Sequence, residues 1–257
     1  MTMATTNTAK TIYGLIGYPL THSFSIDYFN HKFHAEDINA EYINFEIEDI
    51  GDLMEIIAEQ PQLNGLNVTS PYKEQVLPYM SKLDESAQVV GAVNVIKFVK
   101  DPKDGHLELH GYNSDVMGFY RSIESLLNEN RNKAMILGTG GASKAVAHAL
   151  KQLGVEVTLV SRQKTAKTVV YEEITKAMVH GHKLIINATP LGKFPDEDKC
   201  PDFPYKFLTR EHLCYDLIYN PEETLFMKKS RQAGAEVKNG LEMLLLQAFE
   251  SYSIWTR

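Results

Sequence analysis

The sequence predicts an α/β protein of two domains, the second of them Rossmann-like. Three observations carry that prediction. Strand-like and helix-like segments alternate from Thr11 to the C-terminus, the order that builds layered α/β folds. Lys133 to Val160 reads as a complete strand–helix–strand unit with a glycine-rich first turn, the arrangement of a nucleotide-binding half. A polar, charged run from Asn128 to Lys133 stands just before that unit. The boundary is placed near Ser114, giving residues 1–114 plus 239–257 as one domain and 115–238 as the other. The final helix is expected to pack back on the first domain.

In chain order, strands are expected at Ile12 to Ile16, Glu41 to Glu46, Gly65 to Thr69, Val93 to Phe98 and Leu107 to Gly111. Helices fill the gaps: Ser25 to Ala35, Gly51 to Glu59, Tyr72 into the Val89 region, and Asp115 to about Asn128. Lys133 to Gly138 is the next strand. Ala142, Ala145, Val146, Ala149, Leu150 and Leu153 then recur at helical spacing and form one apolar stripe,. Gly154 ends that helix as C-terminal glycines do,. Strands follow at Val155 to Val160, Lys183 to Asn187, Leu213 to Leu217 and Ala235 to Val237, and the last helix starts near Leu241.

The chain has 257 residues, 44% of them hydrophobic, and a formal net charge of −7. That length suits one large domain or two small ones. The acidic balance, with no dominant basic stripe, argues against nucleic acid as a partner. Cys200 and Cys214 make neither a disulfide framework nor a zinc pattern,, and two loose cysteines fit a reducing cytoplasm. No apolar run reaches transmembrane length, and the first ten residues lack a signal peptide's apolar core,. A cytoplasmic protein without a membrane partner is expected.

Two segments carry chemistry. The run GLNVTSPYK from Gly65 to Lys73 is a short strand, a proline stop and a lysine at the start of a helix. Asn67 and Thr69 are two apart and share one side of a strand. With Lys73 they place an amide, a hydroxyl and an ammonium near one strand-to-helix turn, where α/β folds hold ligands. That trio suits a small polyhydroxylated or anionic substrate. It also reads as a buried Asn, a strand Thr and a solvated Lys.

The second segment is the turn Gly138, Thr139, Gly140, Gly141, Ala142, Ser143, with Ser143 where G-x-G-x-x-G has its third glycine. Glycines let the backbone approach a pyrophosphate, and the helix N-terminus offers N–H groups and partial positive charge. A tight turn with no ligand is the alternative. The following strand ends in Ser161, Arg162, Gln163 and Lys164, where NAD-binding folds carry Asp or Glu. Arg162, with Lys164 and Lys167 near it, suits a 2′-phosphate. NADP(H) is therefore expected over NAD(H), against the alternative of a solvated basic loop.

Together these residues resemble the shikimate dehydrogenase family. The resemblance runs from about Tyr13 to Ser253 and rests on several motifs in order. They are GYPLTHSFS (Gly17 to Ser25), GLNVTSPYK, GAVN (Gly91 to Asn94), GYNSDVMG (Gly111 to Gly118) and the glycine turn. NATP (Asn187 to Pro190), YDLIY (Tyr215 to Tyr219) and NGLEMLLLQ (Asn239 to Gln247) follow. The family resemblance implies an open substrate-binding α/β domain, completed by the C-terminal helix, next to a Rossmann-like NADP domain, with the active site in the cleft. It implies reversible reduction of 3-dehydroshikimate to shikimate with NADPH, by a monomer or homodimer.

Carried over residue by residue, the resemblance implies that Ser23 and Ser25 hold the substrate carboxylate. Asn67, Thr69, Asn94, Asp115 and Gln247 would hold ring hydroxyls, and Tyr219 would border the substrate. Lys73 and Asp115 would be the catalytic pair, Lys73 as the acid. The glycine turn, Ser161, Arg162, Lys164, Thr189, Leu217 and Gly240 would meet the cofactor, and no metal is implied.

The chain departs from the pattern at Ile26, where a proline is usual, and at Ser161 and Gln163, which flank Arg162 in place of Asn and Thr. Ala166 replaces a common further arginine, and Ser114 a common threonine. Ser23 leans towards shikimate over quinate, because quinate-using relatives often carry threonine there. A quinate enzyme and a non-catalytic nucleotide-binding regulator are the rival readings. His22, His180 and His182 read as structural, without a third metal ligand,.

Overall fold

A computed structural model describes residues 9–20 and 24–257. The chain forms two compact units, Met1–Asn113 with Ser251–Arg257, and Ser114–Glu250.

The first unit contains β1 (Thr11–Gly17), α1 (Phe24–Ala35), β2 (Ala40–Glu46), α2 (Leu53–Glu59), β3 (Leu63–Val68), β4 (Lys82–Leu83), α3 (Glu85–Val90), β5 (Val95–Lys100) and β6 (Leu107–Tyr112). They form one sheet in the order β2-β1-β3-β5-β6-β4. Helical crossovers make β2, β1 and β3 parallel,. The short connection after β5 makes β5 and β6 an antiparallel pair, and β5 also runs antiparallel to β3. An apolar cluster that includes Ile16, Leu53, Leu66, Val76 and Ile96 packs this unit.

An aromatic cluster forms a second packing centre. The Phe29 and Tyr42 rings stack 4.7 Å apart, as do Tyr13 and Trp255. A Cβ at Gly65 would collide with the Trp255 indole, so that ring lies directly on the β3 backbone. Its Nε1 donates to the Ile96 carbonyl at 3.1 Å.

The expected helix from Tyr72 to Val89 does not form as one element. Residues 71–76 are turns, Leu77–Tyr79 is a 3₁₀ turn, and only Glu85–Val90 is α-helical. Pro78 brings no N–H to a continuing helix. Asp84 then caps a new helix by accepting from Ala87 N at 3.0 Å,. Lys73 consequently lies in a turn and not at a helix start.

The second unit holds α4 (Ser114–Ile123), β7 (Lys133–Leu137), α5 (Gly141–Gln152), β8 (Glu156–Ser161), β9 (Thr168–Val170), α6 (Lys176–Gly181), β10 (Leu184–Asn187), β11 (Leu213–Asp216), α7 (Leu225–Gln232) and β12 (Glu236–Lys238). The order β12-β11-β10-β7-β8-β9 is parallel throughout. Chain order reverses between β7 and β10, the switch point at which open parallel sheets bind ligands. The expected helix from Asp115 to Asn128 ends at Ile123 and tightens to a 3₁₀ turn at Glu124–Leu126.

The last helix, α8 (Leu241–Thr256), contributes residues 241–250 to the second unit and 251–256 to the first. Residues 239–250 thus count with the second unit, whereas the sequence pattern assigns them to the first. The close fit of α8 against α4 accounts for it: a Cβ at Gly118 would lie 2.9 Å from the Met243 carbonyl oxygen. No helix among the described residues is long and apolar enough to cross a membrane.

Candidate active site

In the first unit, β3 carries Asn67 near its C-terminal end, and Thr69 follows directly. Asn67 is buried and its amide is held from both sides. Its Nδ2 donates to the Asn94 carbonyl at 3.2 Å and to Ser251 Oγ at 3.0 Å. Its Oδ1 accepts from the Tyr42 hydroxyl at 2.8 Å. Both amide protons are therefore committed to the protein, and Oδ1 keeps one lone pair for a ligand.

Asn94, buried, also takes Val68 N on its carbonyl at 2.9 Å and donates its own N–H to Tyr112 O at 3.0 Å. Lys73 is partly buried in the turn after β3, with its carbonyl accepting from Val93 N at 2.7 Å. The backbone of the Gly91 to Asn94 segment is thereby tied to the lysine turn. Ser25 lies in the first turn of α1. The first unit thus links Tyr42, Asn67, Asn94 and Ser251 in one network, with Thr69 and Lys73 on the segment that follows β3. Ser23 and His22 lie outside the described residues.

In the second unit, Asp115 sits in the first turn of α4 and is 8% exposed. The neighbouring Ser114 donates its hydroxyl to Gln247 Oε1 on α8 at 3.3 Å. Gln247 Nε2 donates to Leu244 O at 3.0 Å.

The glycine turn joins β7 to α5 at the sheet's switch point. Gly138 has φ +110°, and a Cβ there would lie 3.1 Å from the Ala188 carbonyl oxygen, so only glycine fits without strain. Space where Cβ atoms would stand at Gly140 and Gly141 is open. α5 begins with no side-chain cap, so its first N–H groups take no bond from an N-cap side chain. Ser143 is buried and donates its hydroxyl to the Gly138 carbonyl. The departure from the third glycine is thus a clasp that holds the turn's shape. Thr139 is exposed and Ala142 partly so.

At the end of β8, Ser161 Oγ accepts from Gln163 N at 3.2 Å and orders the loop. Arg162 is exposed there and makes no ion pair among the described residues. Lys164 is already paired with Glu173, which separates the two basic residues that the sequence groups together. An uncapped helix N-terminus, an open glycine cradle and an exposed arginine fit a dinucleotide with a 2′-phosphate.

The loops after β10 and β11 are locked by a buried polar cluster. Asn187 Nδ2 donates to Asp216 Oδ1 at 3.1 Å, and Asn187 Oδ1 accepts from the Thr189 hydroxyl at 2.6 Å. Asp216 also accepts from Ile218 N at 3.0 Å and from the Thr224 hydroxyl at 2.6 Å. Burial pushes the Asp216 carboxyl up to about 6, against the lowering effect of those three donors. Leu217 is fixed by its N–H on the Asn187 carbonyl, and Gly240 donates to the Ile218 carbonyl. A Cβ at Gly240 would meet the Leu217 carbonyl carbon at 2.6 Å. Tyr219 follows on the same loop, with burial raising its phenol pKa.

Sequence reasoning missed Tyr42, Ser251, Asp216 and Thr224. Tyr42 and Ser251 look like ordinary core residues in the chain, and only the fold brings them to Asn67. Asp216 lies inside the YDLIY motif, and an Asp in an apolar strand is a usable signal.

An all-parallel sheet with a glycine cradle at its switch point places the second unit in the dinucleotide-binding α/β class. Residues 15–96 match the family model of the shikimate dehydrogenase substrate binding domain. A shikimate dehydrogenase (NADP(+)) from Desulforamulus reducens is 33% identical over 268 residues, covering 95% of this chain and 89% of that protein. The crystal structure of shikimate dehydrogenase from Aquifex aeolicus matches with a TM-score of 0.82 and 33% identity, over 97% of this chain and 94% of that one. Quinate dehydrogenase from Corynebacterium glutamicum, in complex with NAD, matches with a TM-score of 0.83 at 28% identity, over 96% and 94% of the two chains. The chain belongs to the shikimate dehydrogenase family.

Proposed function

We propose that this protein reversibly reduces 3-dehydroshikimate to shikimate with NADPH. The single observation that carries the proposal is whole-length similarity to shikimate dehydrogenase (NADP(+)) from Desulforamulus reducens, at 33% identity. The exposed Arg162 at the end of β8 supports NADP(H) in particular, because a cation stands at the place where NAD-binding folds carry an acidic residue,.

The reduced nicotinamide, when bound, supplies the hydride. Gly138, Gly140 and Gly141 with the first N–H groups of α5 hold the pyrophosphate, and Arg162 takes the 2′-phosphate. Thr139, Ala142, Ser143, Ser161, Thr189, Leu217 and Gly240 complete the cofactor side, with Lys164 in a lesser role because Glu173 already neutralises it.

On the substrate side, Ser23 and Ser25 bind the carboxylate. Asn67 (through its Oδ1 lone pair), Thr69, Asn94 and Gln247 hold ring hydroxyls, and Tyr219 borders the ring. Lys73 Nζ hydrogen-bonds the ketone oxygen, stabilises the developing alkoxide and delivers its proton. Asp115 accepts from a substrate hydroxyl. In the oxidative direction Lys73 removes the hydroxyl proton.

The protein acts in the cytoplasm, as a monomer or homodimer. Its partners are this substrate pair and the cofactor, with no nucleic acid. Quinate is the rival substrate, favoured by the likeness to the Corynebacterium glutamicum quinate dehydrogenase. A side-by-side assay of shikimate and quinate with NADP⁺ tests the proposal. Faster turnover of quinate would replace the substrate and keep the reaction class.

A further inference from the structure

Asn44, on β2, carries an amide that the fold leaves without a partner. Its Oδ1 is buried and takes no hydrogen bond among the described residues, and its Nδ2 makes none either. The residue as a whole is half-buried, so the Nδ2 end is the outer end of the amide. That is the less costly way round, because it hides one oxygen and leaves both N–H donors reachable. A buried carbonyl with no donor still costs stability, and an apolar side chain at this position would avoid that cost.

Three relationships place the amide. Leu15 of β1 pairs in register with Asn44 on one side and with Asn67 of β3 on the other. Residues in register on parallel neighbours point to one face, so Asn44 and Asn67 share a face of the sheet. The next row on that face holds Glu46, Gly17 and Thr69: Gly17 pairs with Glu46, and a Cβ on it would meet the Thr69 methyl at 2.4 Å. Glu46 is engaged there by the Leu20 N–H, which donates to its Oε2 at 2.6 Å.

The third relationship is height along the strands. α1 joins two parallel strands and so runs back against them,. Asn30 of α1 clamps the Tyr42 backbone: Asn30 Nδ2 donates to Tyr42 O, and Tyr42 N donates to Asn30 Oδ1, both at 2.9 Å. From that clamp Ser25 lies five residues back along the helix, about 7.5 Å. Asn44 lies two residues on along β2, about 6.6 Å in the same direction. The Asn44 amide and the first turn of α1 therefore stand at one level, at the end of the sheet that carries Asn67 and Thr69.

We propose that Asn44 is a further substrate-binding residue, whose Nδ2 donates to the carboxylate that Ser25 holds and so favours an anionic substrate over a neutral one. The inference rests on the role of Ser25 in the proposed function. An amide end that presents only donors suits an acceptor, and an anion most of all. An N–H bond to a carboxylate is roughly twice as strong as the same bond to a neutral carbonyl. The orphan Oδ1 is what the fold gives up to hold those donors in place.

The test compares the wild type, Asn44→Leu and Asn44→Asp in thermal melting and in the oxidation of shikimate and of its uncharged carboxamide with NADP⁺. Asn44→Leu removes the orphan oxygen, so its Tm should equal or exceed that of the wild type. Its KM for shikimate should rise by roughly three- to tenfold with kcat held within about twofold, the mark of lost uniform binding. The shikimate-to-carboxamide ratio of kcat/KM should fall by roughly threefold in Asn44→Leu. It should fall further in Asn44→Asp, whose carboxylate repels the acid and accepts from the carboxamide NH₂. Asn44→Ala, which only removes atoms, repeats the ratio measurement should either variant fold poorly. An unchanged ratio in the folded variants, in an enzyme whose wild type oxidises shikimate, overturns this inference alone. No shikimate turnover by the folded wild type overturns the proposed function and this inference with it.

Discussion

Asn187 and Asp216, at the C-terminal ends of neighbouring parallel strands, are joined amide to carboxylate at 3.1 Å in a fully buried site. Three donors face Asp216, yet burial still lifts its carboxyl to about 6 from an ordinary 3.8. A raised native pKa stabilises the fold below about pH 4, and that contribution is lost as pH rises through 6. The full loss is on the order of 3 kcal/mol, at about 1.36 kcal/mol per pKa unit.

Asp216→Asn should remove this slope. Its amide oxygen accepts from Asn187 and Ile218, and its new NH₂ donates to the Thr224 hydroxyl. Urea unfolding of both proteins between pH 4 and 8 should show the wild type losing stability relative to the variant as pH rises. Parallel curves would place the native carboxyl in the ordinary range.

Gly141 and Gly240 should respond in opposite ways to alanine. Gly141 opens α5, and a Cβ added there would meet nothing within 4 Å. Gly141→Ala should therefore keep or raise thermal stability by up to about 1 kcal/mol, while weakening NADPH binding by filling the cradle. Gly240→Ala collides with the Leu217 backbone, and should lower stability by more than about 2 kcal/mol. Calorimetry and NADPH titration of the two variants check both signs. Unimpaired NADPH binding by Gly141→Ala would contradict the cradle.

Arg162→Ala should raise the Kd for NADPH by about tenfold or more and leave NADH unchanged, since only NADPH carries the 2′-phosphate. Lys164→Ala should do less, because its ammonium is already paired with Glu173. Equal weakening of both nucleotides by Arg162→Ala would refute 2′-phosphate recognition.

Lys73→Ala should lower kcat by on the order of a hundredfold or more with a much smaller change in KM, the pattern of a lost proton donor. Steady-state kinetics with saturating cofactor measures it, and an unaltered kcat would take Lys73 out of the chemistry.

Much of the second unit was legible in the chain because its signals are local. The stripe from Ala142 to Leu153 and the glycines at 138, 140 and 141 report a helix and a turn that lie where the sequence put them. The Tyr72 to Val89 stretch misled because its apolar residues carry no warning of where Pro78 and Asp84 divide it. β9, α6 and α7 escaped for a related reason: they are only three, six and eight residues long. Tyr42 and Ser251 could not be read at all. Their role depends on Asn67, 25 and 184 residues away, and no local pattern encodes a contact at that separation. The sequence groups Lys164 with Arg162 as a basic neighbour, and the nine-residue reach from Lys164 to Glu173 separates them.

The most direct test is the initial rate of nicotinamide reduction with shikimate or quinate, each paired with NADP⁺ or NAD⁺. The account predicts that shikimate with NADP⁺ is the fastest pair, and that Arg162→Ala erodes its lead over shikimate with NAD⁺. No turnover of any pair, by folded protein that still binds NADPH, would contradict it and leave a nucleotide-binding regulator in its place.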